Sequence, residues 1–390
     1  MHSIQAAEQV IAKGAASSSA DITACFESFP QDITTSMDAF LTGQLATLEA
    51  IGSPVTFAGE QLRDFVLGGG KRIRPRCAWA GYLTAIVAGT KDTSPAPAAA
   101  VLPTIASLEL IQACALIHDD IIDASDTRRG KPTIHRVTEE QHRTHAWQGD
   151  SAHYGESVAI LVGDLATVWA DDMFHNSGAD ACSLQRASQA WRGMRTEVIG
   201  GQLLDIALEV SGIASSEYSA EEFRALTYNV NRFKTAAYTI ERPLHIGAAL
   251  AGGSAELIAA LRTYGTHLGI AFQLRDDLLG VFGDPAITGK PAGDDLREGK
   301  VTQLITTALE LSATDVDTQE VIRTQLGTIS EPAELAALAD IITATGAVET
   351  IEAEITRHTE VALGAIAGLE IHGMYAVLED LATQATARKH

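Results

Sequence analysis

The stretch AAAVLPTIASLELIQACALIHDDIID, Ala98–Asp123, is apolar almost from end to end and then closes on three aspartates. Its apolar residues recur three and four positions apart, the period of a helix. A membrane span is a poor reading, because Pro103 and Glu109 interrupt the run and His118-Asp119-Asp120 ends it. A buried central helix is the better one. The same period continues outward, over Thr34–Ile51, Ala58–Leu67, Ile73–Ala88, Glu156–His175, Ala181–Val210, Ala220–Ala251, Ala255–Phe282 and Val301–Leu311. Breakers separate these segments, among them Gly68-Gly69-Gly70, Thr90–Pro97, Gly130–Thr133, Gly212–Ser216 and Gly283–Gly293. Two-residue alternation is not sustained anywhere. The predicted fold class is all-α, with residues 31–390 as one helical domain. Residues 1–30, rich in Ala and Ser, are expected to be a weakly ordered lead-in.

The chain has 390 residues, 46% hydrophobic, enough for a large core. Its 28 basic and 50 acidic residues leave a formal net charge of -22. Nucleic acid and anionic membrane surfaces repel such a protein, so neither is an expected partner. A small phosphate needs only a few local cations and is not excluded. Cys25, Cys77, Cys114 and Cys182 are scattered without a CxxC pair, as buried thiols in a reducing compartment would be. No secretory signal is recognisable, and a cytoplasmic location without a membrane span is expected.

Two acidic clusters carry the chemistry. Asp119 and Asp123 are four apart, so a helix projects both carboxylates from one face. Like charges at that spacing repel unless a cation neutralises them, and oxygen-only ligands suit Mg²⁺. Alone, such a cluster is as readily a solvated helix end. A second cluster, Asp276-Asp277, ends another long apolar helix after Phe272-Gln273, and two such pairs could face each other across a cavity. Cations accompany them. Gly68-Gly69-Gly70-Lys71-Arg72-Ile73-Arg74-Pro75 puts a glycine-rich turn before a basic helix start, where backbone can approach a phosphate. It is not a Walker A loop, since no Ser/Thr follows the lysine and no strand precedes the turn. Phe233-Lys234-Thr235 adds another cation within a helical stretch.

The segments GGGKRIRP, LIHDDIIDASDTRRGKPTIH, GGQLLD, FKT and FQLRDDLLGVFGDPAITGKPAGDDLREGKVT occur in the order typical of trans-polyprenyl diphosphate synthases. Over about Leu67–Thr302 the chain resembles that family, and within it the actinobacterial geranylgeranyl diphosphate synthases. The resemblance implies an isoprenoid-synthase-type helical bundle around a central cavity, usually a homodimer, with Mg²⁺ as cofactor. Substrates would be isopentenyl diphosphate and an allylic diphosphate (dimethylallyl, geranyl or farnesyl). By position it implies metal-binding roles for Asp119, Asp120, Asp123 and Asp276, with Asp277 in support. Arg128, Lys234 and Lys290 would hold the allylic diphosphate. Lys71, Arg74, Gln112 and Arg129 would hold isopentenyl diphosphate. Gln273 and Thr235 would line the same site, and Lys300 would close over it.

The chain departs from the family pattern twice. Gly280 stands where many members carry a third aspartate of the second motif. His135–Ser157 is longer than usual and holds His135, His142, His145 and His153, whose irregular spacing suits a solvated loop or short helix better than zinc. Product length follows from helix geometry, since one turn of ~5.4 Å accommodates about one five-carbon unit below Asp119. Family members that stop at fifteen carbons commonly place an aromatic four or five residues earlier, where Ala115 and Cys114 stand here. Small side chains there let the tunnel continue toward Ile111, Leu108 and Ser107, which predicts a product of twenty carbons or more, geranylgeranyl diphosphate favoured. Two rivals remain. A class I terpene cyclase would lack the isopentenyl-binding cations, and a non-catalytic partner subunit would be expected to have lost an acidic motif or the basic set.

Overall fold

The computed structural model describes residues 2–89, 94–211, 220–285 and 292–387. They are helical almost throughout, as expected. The only strands among them are Thr127–Arg128 and Lys131–Pro132, paired antiparallel with Arg128 opposite Lys131. Two compact units emerge. One comprises Met1–Gln189, Pro243–Ser254 and Glu370–Met374; the other Ala190–Arg242, Ala255–Leu369 and Tyr375–His390.

In the first unit the helix Ala98–Ile122 is the centrepiece, packed along Ser151–His175 and against Ile73–Ala88, Phe29–Leu48 and Ser53–Leu67. It is the one helix among the described residues long and apolar enough to cross a membrane, and 72% of its most apolar window is buried inside the protein. Glu109, the charge that interrupts it, is explained by Arg72. The two are buried and meet at 2.5 Å, while Arg72 also donates to the Val66 carbonyl at 3.0 Å. Burying either charge alone would be costly. Glu109→Gln keeps the shape and removes the charge; it is expected to cost about 1.5–3 kcal/mol of unfolding free energy. An unchanged urea midpoint would show the pair contributes nothing.

The first thirty residues, expected as a weakly ordered lead-in, carry helical structure. They form the helices His2–Lys13 and Ser19–Glu27. Ser18 and Asp21 close a reciprocal capping box on the second, which satisfies amides that a helix start otherwise leaves open. Ala7, Val10, Ile22 and Cys25 are fully buried, and Trp79 donates its indole N–H to the Cys25 carbonyl at 3.1 Å. Small apolar residues at helical spacing have supplied a core face.

In the second unit Ala255–Phe282 runs against Ala347–Ile366 and against Asn231–Glu241. The sequence period suggests one continuous helix over Ala220–Ala251. The structure instead has α-helices Ala220–Val230 and Arg242–Leu250 on either side of a wider π-helix, Asn231–Glu241. Such windings are rare and often sit at functional sites. Glu241, at its end, is buried between Arg232 (2.5 Å) and Arg262 (2.9 Å). Gly269 has no side chain where Ala236 of the π-helix crosses it; a Cβ there would overlap that residue's backbone and methyl.

Candidate active site

In the first unit the acidic motif occupies the end of the central helix. The Asp123 amide still donates to the Asp119 carbonyl at 2.8 Å, so the two residues keep their four-residue helical relation. Asp119 is half-buried and Asp123 exposed. Asp120 faces inward at 1% exposure, where burial raises its pKa against the opposing pull of Arg128. Its Oδ1 accepts from Arg128 Nε at 2.6 Å. Its Oδ2 is buried and has no hydrogen-bond partner. Arg128 Nη2 also stands 3.8 Å from Asp119.

The two-stranded hairpin aims these arginines. Arg129 (φ 54°) and Gly130 (φ 72°) form its two-residue loop, both left-handed as a type I′ turn requires. Arg129 tolerates that conformation at a cost that neighbouring contacts must repay. Its guanidinium donates to the Gly69 carbonyl at 2.6 Å and lies 6.0 Å over the Phe65 ring. A Cβ on Gly70 would stand only 3.4 Å from it. Burial lowers the Arg129 pKa, with Arg72, Arg128 and Arg74 close enough to add to the effect and Glu109 opposing it. The glycine turn and the hairpin therefore bring Arg74, Arg128 and Arg129 together. Lys71 is exposed beside them, and Arg74 and Gln112 are half-buried. Arg72, in the middle of the basic run, is instead the structural partner of Glu109.

In the second unit the Ala255–Phe282 helix presents Asp276 outward and Asp277 inward at 3% exposure. The Thr235 hydroxyl donates to Gln273 Oε1 at 2.6 Å, and Gln273 Nε2 donates to Asp277 Oδ1 at 2.8 Å. Gln273 thus fixes the second motif from within. Asp277 Oδ2, like Asp120 Oδ2, is buried and lacks a well-formed hydrogen bond. Burial pushes the Asp277 carboxyl up to about 8, against the Gln273 hydrogen bond and with the charges of Asp295 and Asp276 adding to it. Lys234, on the π-helix, gives its ammonium to Asp205 Oδ2 at 2.5 Å. Asp205 lies in GGQLLD, a motif the sequence singles out without a role for this residue. Gly201 of the same motif lets the Lys234 backbone approach, since a Cβ there would overlap it. Lys300 pairs with Glu298 at 2.9 Å. Lys290 lies outside the described residues.

A raised carboxyl pKa makes the folded protein prefer the protonated form. Its stabilising contribution is full below the ordinary value near 4 and is lost as pH rises through about 8. Asp277→Asn should remove that dependence. With EDTA present, wild-type stability should fall relative to the variant between about pH 5 and about pH 8.5. A gap in urea midpoints that stays constant across that range would contradict it.

Among the described residues no three of His, Cys, Asp and Glu stand close enough to hold a metal by themselves. The histidines of the long segment lie on the helix Ile134–Thr144 and around the start of Ser151–His175. His142 packs against Trp147 and Tyr154, with ring centroids 6.0 and 5.3 Å away.

An all-helical chain whose two acidic clusters are accompanied along the sequence by lysines and arginines has the groups that an enzyme handling diphosphates needs. The polyprenyl synthetase family model matches residues 57–342, and the chain belongs to that family as a trans-prenyl diphosphate synthase. It is 53% identical to a geranylgeranyl pyrophosphate synthase of Corynebacterium glutamicum whose crystal structure holds isoprenyl diphosphate and magnesium; the match covers 93% of this chain and 99% of that one, with a TM-score of 0.86. It is 32% identical over 312 residues to the geranylfarnesyl diphosphate synthase of Aeropyrum pernix (79% of this chain, 86% of the relative). It is 32% identical over 324 residues to a (2E,6E)-farnesyl diphosphate synthase of Mycobacterium tuberculosis (80% and 78%).

Proposed function

We propose that this synthase condenses isopentenyl diphosphate with an allylic diphosphate, using Mg²⁺, to give a product of twenty carbons or more, with geranylgeranyl diphosphate favoured. The observation that carries the chain length is the pair of small, half-buried residues Cys114 and Ala115, about one turn before Asp119. The Corynebacterium relative, by its name a geranylgeranyl synthase, supports the same reading.

The carboxylates suit a hard divalent cation. Asp120 Oδ2 and Asp277 Oδ2 are buried and lack a well-formed hydrogen bond, though the Gln303 amide lies near Asp277; a cation or a proton relieves so costly a state. Mg²⁺ commonly takes one or two carboxylates and completes its shell with phosphate and water, so a compact all-protein cage is not needed. Asp119, Asp120 and Asp123 in the first unit, and Asp276 and Asp277 in the second, would each offer carboxylates to such cations, which would supply positive charge to the departing diphosphate.

The chain's own residues bind and orient. Arg74 and Arg129, with Lys71 and Gln112, would receive isopentenyl diphosphate. Arg128, kept in place by Asp120, and Lys234, kept in place by Asp205, would each contribute to binding the allylic diphosphate, as would Lys290 by its position in the motif; Thr235, Gln273 and Lys300 would add substrate contacts. The allylic C–O bond breaks, the isopentenyl double bond forms the new C–C bond, and the released diphosphate takes the proton. No protein nucleophile is required. A homodimer is supported by apolar residues left facing solvent, Leu161 (66%) and Val168 (57%) on one helix and Ile199 and Leu203 (63% each) on another.

Incubating the purified chain with farnesyl diphosphate, isopentenyl diphosphate and Mg²⁺ tests this. A twenty-carbon diphosphate is expected. Farnesyl diphosphate returned unextended, with no diphosphate released, would end the proposal.

A further inference from the structure

The π-helix Asn231–Glu241 carries Lys234 and Thr235, which reach Asp205 and Gln273. A winding this rare needs something to hold it, and an ion pair joins its two ends. Arg232 Nη2 stands 2.5 Å from Glu241 Oε2, nine residues further along the same helix. In an α-helix nine residues make about two and a half turns, which would put these side chains on opposite faces. The wider winding brings them onto one face, so the pair favours the π form over the α form. Both groups are withdrawn from water, Glu241 at 1% and Arg232 at 17% side-chain exposure, and their attraction is little screened. Glu241 Oε2 and Arg232 Nη1 lack a well-formed hydrogen bond; the contact acts through charge. From the neighbouring helix, Arg262 Nε donates to Glu241 Oε1 at 2.9 Å. That helix also presses on the π-helix end at Gly265, where a Cβ would stand 2.6 Å from the Glu241 Cα. At the other end the Arg232 guanidinium lies 5.3 Å over the Phe233 ring.

We propose that Arg232 and Glu241 are positioning residues for the allylic diphosphate: their pairing selects the π winding, and that winding aims Lys234 and Thr235. Rewound as an α-helix, the segment would turn Arg232 away from Glu241 and swing the residues between them off Asp205 and Gln273. Arg262 plays a different part, since it braces Glu241 from outside the segment and does not link its ends. The inference rests on the reading of Lys234 as a ligand of the allylic diphosphate and deepens it.

Steady-state kinetics with geranyl diphosphate and isopentenyl diphosphate varied in turn test this, beside a melting curve for every variant. Arg232→Gln leaves Glu241 its Arg262 partner, so the protein should fold, and KM for geranyl diphosphate should rise about 10²-fold. KM for isopentenyl diphosphate should not change, because Lys71, Arg74, Gln112 and Arg129 belong to the first unit. Glu241→Gln should act alike. Arg232→Lys, which keeps the charge, should recover most of the allylic KM. Arg262→Gln should lower the Tm and leave both KM values as in wild type. A merely structural ion pair would change the Tm alone. Arg232→Gln and Glu241→Gln with wild-type allylic KM, or Arg262→Gln raising it as much as they do, overturn the proposal. Lys234→Ala separates the two failures. If it alone raises the allylic KM, the reading of Lys234 stands and the positioning role falls; if it leaves that KM unchanged, the reading itself falls.

Discussion

Asp276→Ala is expected to lower kcat by about 10²–10³-fold, a loss of about 2.7–4 kcal/mol of transition-state stabilisation, while leaving the Tm unchanged or slightly raised. The two effects separate because of where the side chain lies. Asp276 is exposed on its helix, more than a turn before the end at Phe282, with Asp277 next to it, whose carboxyl the charges of Asp295 and Asp276 both push up. Removing one of several like charges relieves repulsion in the resting fold. On the proposed mechanism the same charge is needed when diphosphate departs, because the negative charge developing there would be met by a cation that this carboxylate would help to hold. Asp119→Ala should behave alike in kcat. Asp120→Ala should not, because Asp120 is buried against Arg128 at 2.6 Å and its loss strands a half-buried guanidinium. Activity and stability should fall together there. The measurement is kcat at saturating substrate and Mg²⁺ beside a melting curve for each variant. An Asp276→Ala enzyme keeping more than about a tenth of wild-type kcat would show that this residue does not carry the charge assigned to it.

The contrast between Asp276 and Asp277 also shows where sequence reasoning stops. The helices Ile73–Ala88, Ala98–Ile122 and Ala255–Phe282 were legible to the residue. Each has a long apolar period and meets Gly, Pro or a charge cluster at its ends. The adjacency of two aspartates was equally legible, but which of them turns inward depends on packing against the π-helix. A π-winding has no residue signature, since it differs from an α-helix by which carbonyl each amide chooses. The Thr235–Gln273 bond and the Lys234–Asp205 pair span 38 and 29 residues of sequence, and only tertiary structure closes such distances. The basic run shows the same limit. Lys71, Arg72 and Arg74 look interchangeable as text, yet the left-handed backbone at Arg72 (φ 50°) sends that one to Glu109. The N-terminal helices escaped notice because Ala, Ser and Ile at helical spacing carry a weak period, and the Ser18–Asp21 box that starts the second helix resembles any polar turn.

Ala115→Phe should convert the enzyme to one whose main product has fifteen carbons, with the ratio of fifteen- to twenty-carbon product rising about ten-fold or more. The helix below Asp119 rises ~1.5 Å per residue, so Ala115 lies ~6 Å from the motif. That distance is close to one isoprene unit beyond the allylic position. On the proposed reading a methyl group there would leave passage for the growing chain, whereas a phenyl ring would fill it; rejecting surplus length by steric overlap is discrimination that a hydrophobic wall performs well. Ala115 is a cleaner site for the exchange than Cys114. The Cys114 thiol stands 3.7 Å from His118 Nδ1, and His118 Nε2 stands 3.0 Å from the Ile160 carbonyl. That ring packs where Gly163 lacks a side chain, so Cys114→Phe would disturb the residue next to Asp119 as well as the passage. Ala115 has no such tie among the described contacts. Chromatography of the dephosphorylated products, primed with geranyl diphosphate, reads the outcome. A spectrum identical to wild type at undiminished rate would mean that the chain does not run past Ala115, and product length would have to be set by another wall.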